Sequence, residues 1–463
     1  MNTNQPQLVR VLGLGFVISV VVANIIGSGV YKKVAPMAEA LQSPGWVLVA
    51  WILGGIVTLL GALSNAEVAG LLADTGAEYA YYKKIYNRWL AFMFGWSMFI
   101  VVQTASISSL AYVFSHSLES IFPVSPLLEQ WKDYSVFGIF YPFADFHTKL
   151  IAVVLIILLT LFNTRGIKSG ARLSDMILWL VYAGIALIVV FGLTSGKADI
   201  ARSFDFSVPA GHPVTISALF TAMLAAFWAY QGWTTAGCVV GEVKEVHRNL
   251  PRGIVIGVAI VIGVYLLANM TYLAILPIEQ LQAIHAAGNQ IAAVEAVKMF
   301  WGNGGGIFMG VLILMTTLGC THATIYGNAR IYFAMAKEKL FFHGAEKVNA
   351  AHVPARALWL QCIWGCLLVF SGTFDQLTDM VVFAIFFYYA LTTAGVFILR
   401  KTMPDAHRPY KVWGYPVIPA IFILFCMGLI VNTMITQPRE AIFGLVLMLT
   451  GVPMYYYFSR KAA

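Results

Sequence analysis

Two short stretches hold residue types that could recognise a polar solute by backbone alone. Asn24-Ile25-Ile26-Gly27-Ser28-Gly29-Val30 places two glycines and a serine near the middle of an apolar run. Trp228-Ala229-Tyr230-Gln231-Gly232-Trp233-Thr234-Thr235 interrupts a later run in a similar way. Glycine lets a chain leave helical angles and lets a ligand come close to the backbone. A helix broken there frees N–H groups on the half that follows and carbonyls on the half that ends. The N–H groups after Gly29 bear partial positive charge and suit a carboxylate. Carbonyls near Asn24 to Ile26, and around Trp228 to Gln231, can accept from an ammonium. Together these groups would hold a zwitterion, with Ile25, Ile26, Gly27, Ser28, Gly29, Trp228, Ala229 and Gln231 as candidate substrate-binding residues. Close helix packing is the other use of Gly and Ser within an apolar helix.

Covalent and metal chemistry find no support. The chain shows no nucleophile–base arrangement and no P-loop, so no catalytic residue is expected. Cys238, Cys320, Cys362, Cys366 and Cys426 lie in or beside apolar runs, without CxxC or Cys/His metal spacing. Thiols there act as small hydrophobes. No metal and no cofactor is expected, apart from a coupling ion.

The elements that carry the two stretches are membrane spans. Apolar residues make up 60% of the chain and charged residues 11%, against about 25% charged in a soluble domain. About 20 apolar residues in a helix cross a ~30 Å hydrocarbon layer. Runs of that length predict about twelve spans, near 11–36, 46–72, 89–118, 149–165, 172–194, 214–240, 253–276, 303–335, 355–373, 379–399, 415–436 and 440–459. They are apolar nearly all round, as lipid-embedded helices are. No A-x-A-like cleavage site follows a short apolar core, so the first span is expected to stay. With both termini inside, the cytoplasmic segments hold the larger share of the 29 Lys and Arg, as retained positive charge requires. Lys32, Lys33, Lys132, Lys149, Lys197, Arg202, Lys298 and Arg439 fall outside. The net charge of +8 thus reflects helix ends beside anionic lipid, not a nucleic-acid surface.

The breaks fall in spans one and six, the matching positions of two five-span halves. An odd number of spans per half forces the second half to run inverted. Interrupted helices at matching places in two such halves point to a transporter site at the membrane midplane. The fold expected is an all-α integral membrane protein with a five-plus-five inverted-repeat core over residues 1–400. Two C-terminal helices over 401–463 complete it.

At these residues the chain resembles the amino acid–polyamine–organocation superfamily, and within it the L-type amino acid transporter-like branch. The first-span IIGSG-V stretch matches that family's start, and AAFWAYQGWTTAGCVVGEVKEVHRNLP from Ala225 to Pro251 matches its sixth span and following loop. Asn65-Ala66-Glu67 through Gly76-Ala77-Glu78-Tyr79-Ala80-Tyr81 and PDAHRPYKVWGYPVIP from Pro404 to Pro419 agree as well. The resemblance implies twelve spans, alternating access, and a secondary amino acid transporter that exchanges solutes or is ion-driven. It places Ile25, Ser28, Gly29, Trp228, Ala229 and Gln231 around the solute, with Trp228 as an aromatic that closes over it. An amine or polyamine carrier on the same fold is the runner-up, and the lack of Asp or Glu in either broken stretch weighs against it.

Two positions depart from the family pattern. Gln231 stands where a small residue is usual, so its amide either narrows the pocket or binds a polar side chain. The fifth span, Leu173 to Val190, lacks the lysine that replaces sodium between spans one and eight in sodium-independent members, and Val181 stands in its place. A sodium ion, a proton-linked group or plain hydrogen bonding would then join those spans. Asn24, Thr316, Thr317, Thr321 and His322 are the coupling or gating candidates. His322 is either a proton-linked switch or a neutral packing residue.

Other polar residues read more plainly. Glu67 and Asp175 are expected to anchor loop cations such as Arg172 or Arg330, and Asp375 and Asp379 to lie solvated near an outer loop. Small polar residues of the third span, Gln103 to Ser109, are expected to pack helix to helix. The outer segment 119–148 has no cysteine, so the disulfide that joins animal members to a glycoprotein subunit cannot form there. A stand-alone, multi-pass protein of a bacterial inner membrane, in contact with lipid and an amino acid, is the expected setting. Oligomeric state is open.

Overall fold

A computed structural model describes residues 13–72, 77–136, 140–165, 170–234, 243–351 and 353–462, with backbone only at 77, 170–178, 461 and 462. Arg10, Gly76, Thr235, Cys238 and Glu242, and the side chains of Arg172 and Asp175, lie outside that description. The named elements among the described residues are all helices, and an isolated bridge of extended type joins Val136 to Phe140.

The helices run in chain order as α1 Leu14–Ile25, α2 Gly29–Lys32, α3 Val34–Leu41, α4 Pro44–Leu71, α5 Ala77–Ile85, α6 Arg88–Ser97, α7 Gln103–Ile121, α8 Phe146–Thr164, α9 Gly170–Thr194 and α10 Ile200–Ser203. They continue as α11 Ile216–Ala229, α12 Val246–Ile275, α13 Ile278–Ala287, α14 Ala292–Lys337, α15 Ala355–Val369, α16 Phe374–Thr402, α17 Val417–Thr436, α18 Pro438–Leu449 and α19 Gly451–Ala462. Local chemistry sets several starts. Pro44 opens α4, where its missing N–H costs nothing. Thr215 caps α11 by accepting from the Ala218 N–H. Thr373 and Gln376 cap α16 reciprocally, each side chain taking the other's backbone N–H. Gly302, at φ 66°, kinks α14 near its start.

Eight of the described segments are long and apolar enough to cross a membrane, and four shorter apolar helices accompany them. Two of the four, Leu14–Ile25 and Ile216–Ala229, end at the stretches singled out in the sequence. Burial separates centre from rim. In the apolar 18-residue stretch of Arg88–Ile121, 89% of the residues are buried, whereas in those of Val417–Thr436 and Pro438–Arg460 the share is 28%. α7 lies centrally and packs along α14, while α1 and α4 both pack on α12. α3 meets α11, and α16 touches α4, α7, α11 and α17. Exposed Leu424 and Ile435 on α17 face outward, which suits hydrocarbon and not water. The chain is a multi-pass, all-helical membrane protein.

Candidate functional site

The two interrupted stretches meet. α1 ends with the Ile26 N–H on the Val22 carbonyl, and Ile26 itself is extended at φ −70°, ψ 107°. Helical hydrogen bonding resumes when the Tyr31 N–H reaches the Ser28 carbonyl. On the other side, α11 ends at Ala229, and Gly232 turns the chain at φ +115°. Each break has a glycine seated on the backbone of the other. A Cβ on Gly29 would lie 2.5 Å from both Cα and Cβ of Ala229, and one on Gly232 would collide with the Asn24 carbonyl. Both approaches require glycine, and Gly232 also requires it for its positive φ.

A single side chain ties the two ends. The Tyr265 hydroxyl, from α12, lies 3.0 Å from the Ile25 carbonyl and 2.8 Å from the Ala229 carbonyl. These carbonyls belong to the last turns of their helices, which leave carbonyls without intrahelical donors. The phenol has one proton to share between them. Its ring is packed edge-on by Trp51 of α4 and at a tilt by Tyr230, whose own hydroxyl donates to the Trp51 carbonyl at 2.9 Å. Ser28 is buried at the centre of this contact, and its hydroxyl has no hydrogen-bond partner among the described residues. Buried hydroxyls are normally satisfied, so Ser28 is a free polar group at the place where the sequence predicts a solute.

Above the breaks sits an aromatic and cationic roof. Trp228 packs edge-on against Phe374 of α16, with centroids 6.2 Å apart. Lys32 and Lys33 hold their ammonium groups 4.9 and 4.7 Å from the Phe374 ring, within cation–π range. Beyond the roof lies a cavity of about 1120 Å³, lined by Glu39, Tyr112, His116, Phe374, Asp375 and Asp379 among others.

The charged residues of this region differ from expectation. Lys32 and Lys33 are not interface lysines. Helix resumes after the break and runs to Leu41, and both are buried within the protein, 4% and 0% exposed. Asp375 and Asp379 are not loop carboxylates in water. They face Lys33 at 2.6 and 3.9 Å, and Thr378 accepts from the same ammonium at 2.6 Å. A buried ammonium needs such partners. Glu67 is an anchor, as expected, but its cations are Arg400, held bidentately at 2.9 and 2.7 Å, and Arg408 at 3.5 Å. It also accepts from the Val412 N–H at 2.6 Å.

The coupling candidates are dispersed. Asn24 is exposed and donates back to the Val20 carbonyl. Thr316, Thr317 and Thr321 are buried on α14, each bonded to a carbonyl of its own helix. His322 sits 3.1 Å from the Asn163 amide and edge-on to Phe162, both on α8. Val181, in the place of the absent lysine, is buried. Sequence reasoning passed over Tyr265, Phe374 and His116. Only the doubled Lys32-Lys33, four residues past the break, signalled that charge would enter this region.

Comparison with known proteins agrees with this architecture. Residues 12–458 match the amino acid permease family. The serine/threonine exchanger SteT of Bacillus subtilis (strain 168) is 28% identical over 467 residues, covering the whole of both chains. Large neutral amino acids transporter small subunit 2 of Homo sapiens is 28% identical over 469 residues, 98% of this chain and 82% of its own. The b(0,+)-type amino acid transporter 1 of Homo sapiens is 24% identical over 463 residues, 99% of this chain and 90% of its own.

Proposed function

The chain belongs to the amino acid permease family, and from that premise we propose that it carries a zwitterionic amino acid by alternating access around the paired breaks. It is a transporter and not an enzyme. The observation that carries the finer reading is the convergence of the two breaks, glycine to backbone on both sides, with the unpartnered Ser28 hydroxyl between them. The substrate carboxylate lies at the Gly27–Gly29 turn, where backbone N–H groups and Ser28 face it. Its ammonium takes the second lone pairs of the Ile25 and Ala229 carbonyls, each of which has two. Ile26, Trp228 and Gln231 form the wall toward the side chain. Holding a zwitterion with helix ends avoids placing a fixed ionic group at mid-membrane. The buried positive charge of Lys32 beside the roof weighs against a polyamine.

The eight long segments and four shorter helices are read as twelve spans, the first ten an inverted-repeat core and the last two an addition. The termini face the cytoplasm of a bacterial cell whose inner membrane holds the protein, without a disulfide-linked subunit. Asn24, Thr317, Thr321 and His322 are retained as coupling or gating residues, with sodium or proton as the ion.

A thermal-shift screen over the amino acids and polyamines tests the substrate class, since a ligand of the folded state raises apparent stability. Uptake into proteoliposomes then identifies the driving gradient. Ser28→Ala should weaken binding of the stabilising amino acid by roughly tenfold, the equivalent of one buried charge-assisted hydrogen bond. Folded yield should be unchanged. Parental affinity in both Ser28→Ala and Trp228→Ala would place the solute elsewhere.

A further inference from the structure

The two adjacent lysines of the first span are satisfied in different ways. Lys33 is neutralised by Asp375. Lys32 has no carboxylate within ion-pair distance among the described residues. Its Nζ lies 2.8 Å from Nδ1 of His116 on α7 and donates to the Gly288 carbonyl at 2.9 Å. Both Lys32 and His116 are buried, 4% and 6% exposed.

An ammonium has only hydrogens to offer. When Lys32 is charged, His116 Nδ1 must present its lone pair, so the imidazole is neutral with its proton on Nε2. When the imidazole is charged, the lysine must be a neutral amine. Either way the pair carries one positive charge. A second proton would set two buried cations face to face.

We propose that Lys32 and His116 form a proton-binding site that fastens α2–α3 to α7 while it holds one charge and releases them when a second proton arrives from the outer cavity. His116 lines that cavity, so a proton from the outer solution reaches the imidazole directly. A carboxylate waits for the departing imidazolium. Glu119 stands three residues beyond His116, one turn along the same helix. Glu119 already gathers the Thr148 hydroxyl at 2.7 Å and His147 Nε2 at 3.8 Å.

The other groups facing the pair define its balance. Lys33 adjoins it on the first span, and Asp375 approaches from α16. Asp145 and His147 face it from the start of α8. Glu39 of α3, Lys149 of α8 and His285 of α13 share the cavity. Lys33 is committed to Asp375 and Asp379, and the Lys149 ammonium to the Tyr141 and Pro142 carbonyls. Glu119 and Asp145 are left to receive the positive charge. Here the lysine turns the arrival of a proton on the imidazole into a mechanical event. The proton site stands independently of the transport reading. Its consequence rests on that reading: proton entry and release of the outer half of span one become one step, and a proton gradient drives uptake.

Hydrogen exchange of the full-length protein in detergent, with labelling times scaled for intrinsic exchange, tests the site without a substrate. Going from about pH 8 to about pH 5, the acid end of the histidine range, peptides covering 29–41 should lose protection by roughly fivefold or more. His116→Gln keeps an acceptor for Lys32 and cannot titrate, so its protection should stay high at both values. Lys32→Gln keeps a donor and removes the second charge, and should be equally insensitive. An acid response that persists undiminished in His116→Gln overturns the proposal, as does its absence from the parent. His116→Gln suffices on its own if Lys32→Gln folds poorly. Proteoliposomes separate the two readings. Proton-driven L-threonine uptake that survives His116→Gln at parental rate removes the pair from coupling. Failure to take up any amino acid under any gradient overturns the transport reading and leaves the exchange result intact.

Discussion

Removing one oxygen atom, in Tyr265→Phe, tests whether the two breaks are tied together by a single hydroxyl. The ring keeps its contacts with Trp51 and Tyr230, so packing is conserved and only the proton shared by the Ile25 and Ala229 carbonyls is lost. Side-chain hydrogen bonds between membrane helices average about 0.6 kcal/mol and reach about 1.7 kcal/mol. A buried group left unsatisfied costs about 1–3 kcal/mol. Two carbonyls lose their donor at once, and both are helix-terminal, so the upper part of these ranges applies, about 2 kcal/mol. If the tether sets the spacing of the solute's ligands, affinity should fall by about the same energy, a factor of roughly 30. Denaturant unfolding in mixed micelles measures the first quantity. Titration of the stabilising amino acid followed by melting temperature measures the second. A Tyr265→Phe protein within about 0.3 kcal/mol of the parent in both would refute the tether. A loss of stability with unchanged affinity would refute the link between the tether and the site.

Two further substitutions probe the frame around it. Gly232→Ala combines a disfavoured positive φ with a collision against the Asn24 carbonyl, so folded yield after detergent extraction, read by size-exclusion chromatography, should fall severalfold. Recovery at the parental level would mean that the sixth-span turn does not rest on the first. Glu67→Gln strips Arg400 and Arg408 of their carboxylate. Removing one partner of a buried pair costs about 3–5 kcal/mol, and the partial exposure of Arg400 places this case near the lower end. The melting temperature should drop clearly, and an unchanged value would show that the loop between α16 and α17 holds without this anchor.

The breaks were legible because they violate a local rule. Gly27, Ser28, Gly29 and Gly232 interrupt runs that otherwise read as plain spans, and the irregularity is visible without any partner. Tyr265 was not legible, because a tyrosine in an apolar helix looks the same whether it faces lipid or caps two helix ends. Lys32 and Lys33 were misread for a related reason. A lysine at the end of an apolar run is ordinarily a membrane-interface residue, and the cue that reverses that reading, Asp375, is more than 300 positions away. The break also hides the continuation of the helix to Leu41. Asp375 and Asp379 were then read as loop residues for want of their cation. His322 stands out as a histidine within an apolar span, as His116 is in another, yet its neighbours Asn163 and Phe162 belong to α8, an adjacency that periodicity does not carry.

The reach of the Tyr265 tether also bears on how the chain is made. Its hydroxyl and the Ile25 carbonyl are separated by 240 residues. At synthesis rates of roughly 5–20 residues per second, the first span waits about 10–50 s for that hydroxyl to be translated. Exposed, unpaired backbone in hydrocarbon costs several kcal/mol per group. Ile26 to Ser28 therefore cannot enter the bilayer already unwound and stay so alone. α1 must insert as part of an uninterrupted helix, or be sheltered by the insertion machinery, until α11 and α12 arrive. The opening in the first span is in that sense among the last features of the molecule to form, although its residues are among the first to be translated.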